Sequence, residues 1–194
     1  MRIIGGRSGG RLLKVPKGYD VRPTPDLVKQ AIFNSLGERV PGARVLELFG
    51  GSGALSLESL SRGAASSVIV EKSSRTAYMI RSNFESLDLA PNQLELRTQD
   101  AYLAVAQLVQ QGRTFDLIFA DPPYGEKNVG RRSESFAQQL LDDANLPSAL
   151  AKGGTFVLGH SKRDTLEIPR TWSERKRLKH GDSIIRFLEA GKTA

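Results

Sequence analysis

A short apolar run at residues 45–48 breaks into three glycines within four positions, at 50, 51 and 53. The apolar pattern then resumes with helical spacing over residues 54–60. A strand, a glycine turn and a helix in this order form the phosphate- or nucleoside-binding corner of an open α/β sheet. Glycine lets the backbone pass close beneath a ligand, because no Cβ stands in the way. This corner therefore predicts an α/β fold with a ligand site at the turn.

Strand and helix patterns alternate regularly from residue 44 onward. Strands are predicted at 44–48, 67–70, 94–98, 115–120, 155–158, 172–179 and 183–188. Helices are predicted at 53–62, 73–87, 101–111 and 134–142, with a short element near 147–150. Such alternation indicates a mainly parallel sheet with helices on both faces. The predicted fold class is α/β: a doubly wound, Rossmann-like, mainly parallel seven-stranded sheet with an antiparallel C-terminal strand.

The first 22 residues carry two short strand patterns on either side of a glycine-rich, arginine-bearing turn. They predict a small β-hairpin, which is too small to fold alone and must pack on the domain or on a partner. Thr24 is predicted to cap the following helix, with Pro25 at its first position and its end near Leu36. We therefore expect residues 1–22 to be a basic extension of one compact domain at 23–194.

The net charge of +7 is concentrated at the two ends of the chain. Residues 1–22 hold six basic and one acidic side chain, residues 23–161 hold 13 and 15, and residues 162–194 hold nine and five. Basic ends favour a polyanionic partner such as nucleic acid. The chain has no cysteine and two histidines, so we expect no disulfide and no metal site.

Carboxylates stand at three of the predicted strand ends. Glu71 lies about 20 residues beyond the glycines, the spacing at which an acidic residue accepts the ribose hydroxyls of a nucleoside. Asp100 follows the third strand, and Glu47 lies just before the glycine turn. A dinucleotide fits poorly, because Ser56 replaces the third glycine of its fingerprint and Glu47 would repel a pyrophosphate. S-adenosylmethionine carries an ammonium and a sulfonium, so charge complementarity favours this methyl donor over a nicotinamide or flavin cofactor.

The fourth predicted strand ends in Asp-Pro-Pro-Tyr at 121–124, which resembles the motif of the amino-methyltransferases. The resemblance implies that the Asp121 side chain and the Pro122 carbonyl accept both hydrogens of an exocyclic amine. Its nitrogen lone pair is then held toward the methyl group. Two prolines stiffen the loop, and the tyrosine ring would stack on the base. The implied catalytic residues are Asp121, Pro122, Pro123 and Tyr124.

Further motifs, in the order found in one bacterial family, extend this resemblance. They are RIIGG at 2–6, RPT at 22–24, FNSL at 33–36, FGGSGAL at 49–55 and ESLSRGA at 58–64. Through them the chain resembles the RsmD family, which methylates the N2 amine of a guanine in small-subunit (16S) ribosomal RNA. The resemblance covers about residues 2–188. It implies a class I S-adenosylmethionine-dependent methyltransferase fold, with residues 23–194 as the methyltransferase domain.

The same resemblance implies where the donor would bind. Glu71 would hold the ribose hydroxyls, and Asp100 would accept a hydrogen bond from the adenine amine. Arg22 and Thr24 would border the donor pocket or the target base. The residues expected to bind S-adenosylmethionine, and its product S-adenosylhomocysteine, are Glu47, Phe49, Gly50, Gly51, Ser52, Gly53, Ala54, Glu71, Lys72, Asp100, Ala101, Arg22 and Thr24.

Two segments depart from the family pattern or leave their role open. Residues 159–162 are Gly-His-Ser-Lys where an acidic residue is expected, and we interpret His160 as part of a surface loop rather than as a base contact. Residues 125–135 contain Arg131 and Arg132, which either clamp RNA from a mobile loop or form a solvated charge pair.

The expected partner is 16S ribosomal RNA, within a 30S subunit or an assembly intermediate, and the chain is expected to act as a monomer. One alternative is a DNA amino-methyltransferase acting on adenine N6 or cytosine N4, although 194 residues leave no room for a target-recognition domain. Another is a non-catalytic RNA-binding or ribosome-assembly protein with a vestigial donor pocket. No signal-peptide core or membrane-spanning apolar run is found in the sequence, so a cytoplasmic location without membrane association is expected.

Overall fold

The computed structural model describes residues 1–15, 25–124, 128 and 131–191. Seven strands form a mixed sheet, mostly parallel with antiparallel strands at the C-terminal end, which confirms the predicted fold class. The chain divides into two compact units, Met1–Ala101 and Tyr102–Ala194. The division of the sequence into a 1–22 extension and a 23–194 domain stays a prediction. No helix among the described residues is long and apolar enough to cross a membrane.

The described residues of the first unit form three parallel strands and three helices. The helices are α1 (Asp26–Leu36), α2 (Ala54–Ser61) and α3 (Ser74–Glu85), with 3-10 turns at Gly37–Arg39 and Pro91–Gln93. The strands are β1 (Arg44–Leu48), β2 (Ser66–Val70) and β3 (Leu94–Arg97). They lie in the order β3-β2-β1, all parallel. The carboxyl ends of all three strands therefore meet at one edge.

Helix α2 is buried along its whole length. Its polar side chains are consequently satisfied inside the protein rather than by water. The Ser56 hydroxyl bonds that of Ser67 on β2 at 2.7 Å. The Glu58 carboxylate, with no exposed surface, accepts from Arg62 Nε at 2.8 Å and from the Ile4 amide at 2.7 Å. The helix that follows the glycine turn is thus a central part of the first unit.

The N-terminal segment forms the predicted hairpin as a single antiparallel bridge, between Arg2 and Leu12, rather than as two strands. The buried side chains of Ile3 and Leu13 attach it to the first unit. The helix that follows starts one residue later than predicted. Pro25 stands at the cap with an extended ψ of 149°, and α1 begins at Asp26. The expected cap, Thr24, lies outside the described residues.

Within the part of the second unit that the structure describes there are four strands and three helices. The helices are α4 (Ala101–Gln110, whose first residue belongs to the first unit), α5 (Phe136–Asp142) and α6 (Leu146–Ala149). The strands are β4 (Phe115–Ala120), β5 (Leu150–Ser161), β6 (Trp172–His180) and β7 (Ser183–Ala190). They lie in the order β4-β5-β7-β6, with β4 and β5 parallel and the other pairs antiparallel.

Strand β5 is much longer than predicted. It was expected at 155–158, but it begins at Leu150. Two glycines lie in its first half: Gly153 has a left-handed φ of 76° with open space at its Cβ position, whereas Gly154 marks a close backbone approach. A Cβ on Gly154 would lie 2.9 Å from the Ala151 carbonyl oxygen and 3.0 Å from that of Asp116. Glycine inside a strand commonly marks such an approach or a bulge, and the pairing of β4 with β5 shifts register at this point.

The placement of His160 in a surface loop is wrong. His160 lies inside β5, opposite Ile184 of β7, and its side chain is 1% exposed. Arg186 Nε donates to its Nε2 at 2.9 Å, and Arg186 also bonds Glu174. Burial, together with the Arg186 charge, lowers the pKa of His160 to about 4. The imidazole is therefore neutral at neutral pH and accepts a hydrogen bond from the guanidinium.

This buried imidazole predicts a loss of stability on acidification. The unfolded chain protonates His160 at its ordinary pKa of 6.5, whereas the folded chain protonates it only at about 4. The free energy of unfolding should therefore fall as the pH drops from 6.5 to 4, by on the order of 3 kcal/mol from this residue.

Urea denaturation across this pH range measures the loss. His160→Gln should flatten the pH dependence, while His180→Gln, at the exposed second histidine, should retain it. Equal pH dependence in the two variants would contradict the assignment to His160.

Candidate functional site

The glycine turn after β1 is a tightly curled loop. Left-handed backbone occurs at Phe49 (φ 58°), Gly51 (φ 54°) and Gly53 (φ 73°). A non-glycine residue in this conformation is uncommon and costs about 1–3 kcal/mol, so the surroundings must hold Phe49 in place. Gly50 supplies the tight packing: its amide donates to the Val70 carbonyl at 2.9 Å, and a Cβ there would lie 2.5 Å from the Ile69 side chain.

Glu47 fills the N-terminal end of α2. Its carboxylate is 5% exposed and accepts from the Ser56 amide at 2.9 Å and from the Leu55 amide at 3.4 Å. The free amides of a helix N-terminus are the group that binds phosphate in dinucleotide folds. Here that anion site is already taken by a side chain of the protein. The turn therefore disfavours a phosphate, and a direct contact of Glu47 with the donor stays a prediction.

Glu71 connects the glycine loop to the start of α3. Its Oε2 accepts from the Gly51 amide at 2.9 Å, and its Oε1 accepts from the Ser73 amide at 2.8 Å. Ser73 in turn caps α3 by accepting from the Thr76 amide at 3.3 Å. The carboxylate is half-buried, and each of its oxygens has a second lone pair. It is thus oriented by two amides and can still accept ribose hydroxyls.

The third strand end supplies another carboxylate at the same edge. Asp100 directly precedes α4, and its side chain is 35% exposed. One of its carboxylate oxygens lies 3.7 Å from Lys72 Nζ. The structure thus brings the glycine loop, Glu71 and Asp100 to one edge of the first unit. Ser52, Ala54 and Ala101 are nearly buried there. Arg22 and Thr24, the other residues predicted to bind the donor, lie outside the described residues.

Asn83 is a functional candidate that the sequence analysis missed. Its side chain is 1% exposed on α3, and its Nδ2 donates to the Ser52 carbonyl of the glycine loop at 3.0 Å. The same side chain also bonds both backbone groups of Lys14, at 2.8 and 3.0 Å. Asn83 therefore fixes the N-terminal segment and the glycine loop together. Its position beside Phe84 in the buried stripe of α3 was the available signal, since a buried amide needs partners.

In the second unit the Asp-Pro-Pro-Tyr motif directly follows β4. Asp121 is half-buried, Pro122 is buried, and Pro123 and Tyr124 are exposed. The Tyr124 hydroxyl lies 2.6 Å from the Ser183 hydroxyl at the start of β7. The tyrosine ring is thereby anchored at its far end while much of its surface stays accessible.

Gly159 of β5, the parallel neighbour of β4, makes room for the Asp121 carboxylate. A Cβ on Gly159 would lie 2.5 Å from Asp121 Oδ1, closer than any Cβ tolerates. This role of Gly159 was not predicted from the sequence, although glycine within a strand is a known sign of a close approach.

Two arginines of the 125–135 segment differ in their surroundings. Arg132 is ion-paired: it bonds Asp142 at 2.7 Å and Glu167 at 3.0 Å. Arg131 is exposed, and its carbonyl accepts from Asn128 Nδ2 at 3.2 Å. Residues 125–127 and 129–130 of this segment lie outside the described residues.

Comparisons with known proteins point to one family. The family model described as conserved hypothetical protein 95 matches residues 1–189. YlbH of Bacillus subtilis (strain 168) is 34% identical over 171 residues, which cover 88% of this chain and 87% of that protein. Ribosomal RNA small subunit methyltransferase D of Escherichia coli (strain K12) is 37% identical over 124 residues, which cover 64% of this chain and 60% of that protein.

Solved structures agree with these sequence relationships. The structure of yhhF from Escherichia coli is 28% identical, with a TM-score of 0.78 and coverage of 100% of this chain and 99% of that chain. SMU.776, crystallised with S-adenosylhomocysteine (SAH), is 16% identical with a TM-score of 0.61, and covers 86% of this chain and 50% of that chain. At that identity the second likeness concerns the fold alone.

The double role of Asn83 predicts a stability effect beyond that of its neighbour. Asn83→Ala removes the partner of the Ser52 carbonyl and of both Lys14 backbone groups, and should lower the free energy of unfolding by about 1–3 kcal/mol. Ser82→Ala, which removes one exposed bond to the Lys14 ammonium, should change it by less than about 0.5 kcal/mol. Urea denaturation measures both, and similar values for the two variants would contradict this role.

Proposed function

Because the chain belongs to the family described as conserved hypothetical protein 95, whose model matches residues 1–189, we propose that it methylates ribosomal RNA. The methyl group comes from S-adenosylmethionine, and the acceptor is the N2 amine of a guanine in 16S ribosomal RNA. Relatives named ribosomal RNA small subunit methyltransferase D confirm the resemblance to the RsmD family. The substrate, within a 30S subunit or an assembly intermediate, is bound by a monomer.

The observation that carries the proposal is the Asp-Pro-Pro-Tyr motif with its carboxylate seated against Gly159. An aromatic amine is a poor nucleophile because its lone pair is delocalised into the ring. The Asp121 carboxylate and the Pro122 carbonyl accept the two amine hydrogens and hold the lone pair in one direction. Tyr124 stacks on the base. The amine becomes cationic on methylation, and Asp121 or water accepts its proton.

The first unit supplies groups that fit S-adenosylmethionine better than a nucleotide phosphate. Glu47 already fills the helix N-terminus, so the anion site that a pyrophosphate needs is taken. Glu71, oriented by two amides, accepts the ribose hydroxyls, and Asp100 accepts from the adenine amine. When bound, the donor supplies an electrophilic methyl group on a sulfonium. The negative side chains at this edge suit that cation.

Substrate identity is tested first with the wild-type protein. Radiolabelled S-adenosylmethionine is incubated with the protein and either 16S rRNA, 30S particles or duplex DNA, the RNA coming from cells that lack this protein. We expect label in the ribosomal RNA, located to one guanine by mass mapping. Label in DNA would favour the DNA methyltransferase alternative. No label, together with no heat of donor binding in calorimetry, would favour the non-catalytic alternative.

The catalytic role of Asp121 predicts a loss of turnover without a loss of donor binding. Asp121→Ala should lower kcat by about 10²–10³-fold or more, because one of two acceptors for the amine is removed. Calorimetry should find S-adenosylmethionine binding unchanged. Asp182→Ala, which removes an exposed carboxylate paired with Lys162, serves as the matched control and should retain activity. Near-normal turnover by Asp121→Ala would refute the mechanism.

Gly159 predicts a positioning effect that acts through Asp121. Gly159→Ala should displace the carboxylate and lower kcat by about 10²-fold, the usual penalty for a misplacement of about 1 Å. The KM for S-adenosylmethionine should stay unchanged. In the Asp121→Ala background the same change should cost nothing further.

Gly154→Ala is the matched control, because its Cβ meets backbone oxygens at the other end of β5 and not Asp121. It should lower thermal stability but leave the kcat of the folded protein intact. Additive kcat losses in the Gly159 and Asp121 double variant would contradict the positioning role.

A further inference from the structure

A cavity of about 280 Å³ lies beside the Asp-Pro-Pro-Tyr motif in the second unit. Its wall includes the last two residues of the motif, Pro123 and Tyr124, and the first residue of α5, Phe136. Asp121 and Pro122 are absent from its described lining. These two residues are the acceptors for the methylated amine in the proposed function. Tyr124, which stacks on the methylated base in the proposed function, is part of the wall, so the cavity borders the position of that base and its remaining wall can hold a neighbouring one.

The exposed aromatic side chains described in the second unit both line this cavity. Tyr124 is 47% exposed and Phe136 is 43% exposed, and among the described residues of this unit no other aromatic is exposed. Phe119 and Phe156 are fully buried, so an aromatic residue of this unit normally lies in the core. Exposed aromatic faces are the platforms on which proteins stack unpaired nucleobases.

Hydrogen bonds hold the side chain of Tyr124 and the backbone of Phe136 before any ligand arrives. The Tyr124 hydroxyl lies 2.6 Å from the Ser183 hydroxyl. The Phe136 carbonyl accepts from the Tyr102 hydroxyl at 3.3 Å. The Tyr124 ring and the backbone that carries the Phe136 ring are thus already ordered, and order present before binding lowers its entropic cost.

One accessible guanidinium at the cavity wall suits a phosphate. The charged residues of the described lining are Arg131, Arg132 and the exposed Glu134, and Arg132 is compensated by Asp142 and Glu167, whose hydrogen bonds raise its pKa. Arg131 is exposed, and its backbone is anchored by the buried Asn128 side chain. An aromatic platform next to an accessible guanidinium is suited to a nucleotide and not to an apolar peptide.

We propose that this cavity binds the nucleotide adjacent to the target guanine, with its unpaired base stacked on Phe136 and its phosphate near Arg131. The inference rests on the proposed function, since it takes the methylated base to be held by Asp121 and Pro122. It adds that the substrate is an unpaired segment of RNA. It also makes Phe136 a residue that recognises the RNA without touching the reacting atoms.

The test compares replacements of Phe136 that keep or remove an aromatic ring. The probe is the 30S particle or the 16S rRNA from cells lacking this protein, whichever the wild type methylates. Phe136→Leu should raise the KM for RNA about ten-fold, as expected for the loss of one stacked base, with kcat and the KM for S-adenosylmethionine unchanged. Phe136→Tyr should restore the wild-type KM. Tyr78→Leu, at an exposed aromatic residue of α3 outside the cavity, is the matched control and should leave KM unchanged.

Ultraviolet crosslinking identifies the ligand directly. Peptides containing Phe136 should crosslink to a nucleotide immediately next to the mapped guanine. A normal KM for Phe136→Leu, a crosslink to a distant nucleotide, or a crosslink to a ribosomal protein would each overturn the inference while leaving the methylation itself established. If the wild type labels no RNA, the proposed function fails first and this inference fails with it.

Discussion

The arrangement of β1, the glycine loop and α2 in the first unit depends on the contact of the Glu47 carboxylate with the first amides of α2. A buried carboxylate is costly unless it is hydrogen-bonded, and here the Leu55 and Ser56 amides, which would otherwise lack partners, satisfy it. This contact joins the end of β1 to the start of a fully buried helix across the glycine loop. It therefore holds the loop in its left-handed form. It also removes the phosphate site that this corner offers in dinucleotide-binding folds.

In each unit a glycine allows a close approach that places a chemically useful group. Gly50 lets the loop pack against Ile69, and Gly159 lets the Asp121 carboxylate lie against β5. In each case a Cβ would come within 2.5 Å of a neighbouring side-chain atom. The requirement at these positions is space rather than an unusual φ, because neither glycine has a left-handed backbone. Alanine at either position would thus disturb the site even though the backbone φ at that position could accept it.

Predictions from the sequence succeeded where the signal was local. Strands β1 and β4 lie where they were expected, since each is a short apolar run bounded by turn residues. The same reasoning missed the first part of β5, where Gly153 and Gly154 interrupt the apolar run and the pairing with β4 shifts register. It failed at His160 for a related reason. Residues 159–162 were interpreted as a surface loop, but β5 continues through His160, and the neighbouring β7 supplies the Arg186 guanidinium as a donor.

The order of residues alone was enough to establish the α/β class, the glycine loop, the carboxylates at the strand ends and the Asp-Pro-Pro-Tyr motif. All of these depend on periodicity or on neighbours within a few positions. The partners of these groups became known only from the folded chain. Glu47 meets the α2 amides, Asn83 meets Ser52 and Lys14, and Phe136 lines the same cavity as Tyr124. These contacts join residues that are distant in sequence, or they depend on where a side chain points. Packing and hydrogen bonding specify such contacts, and the local sequence pattern does not.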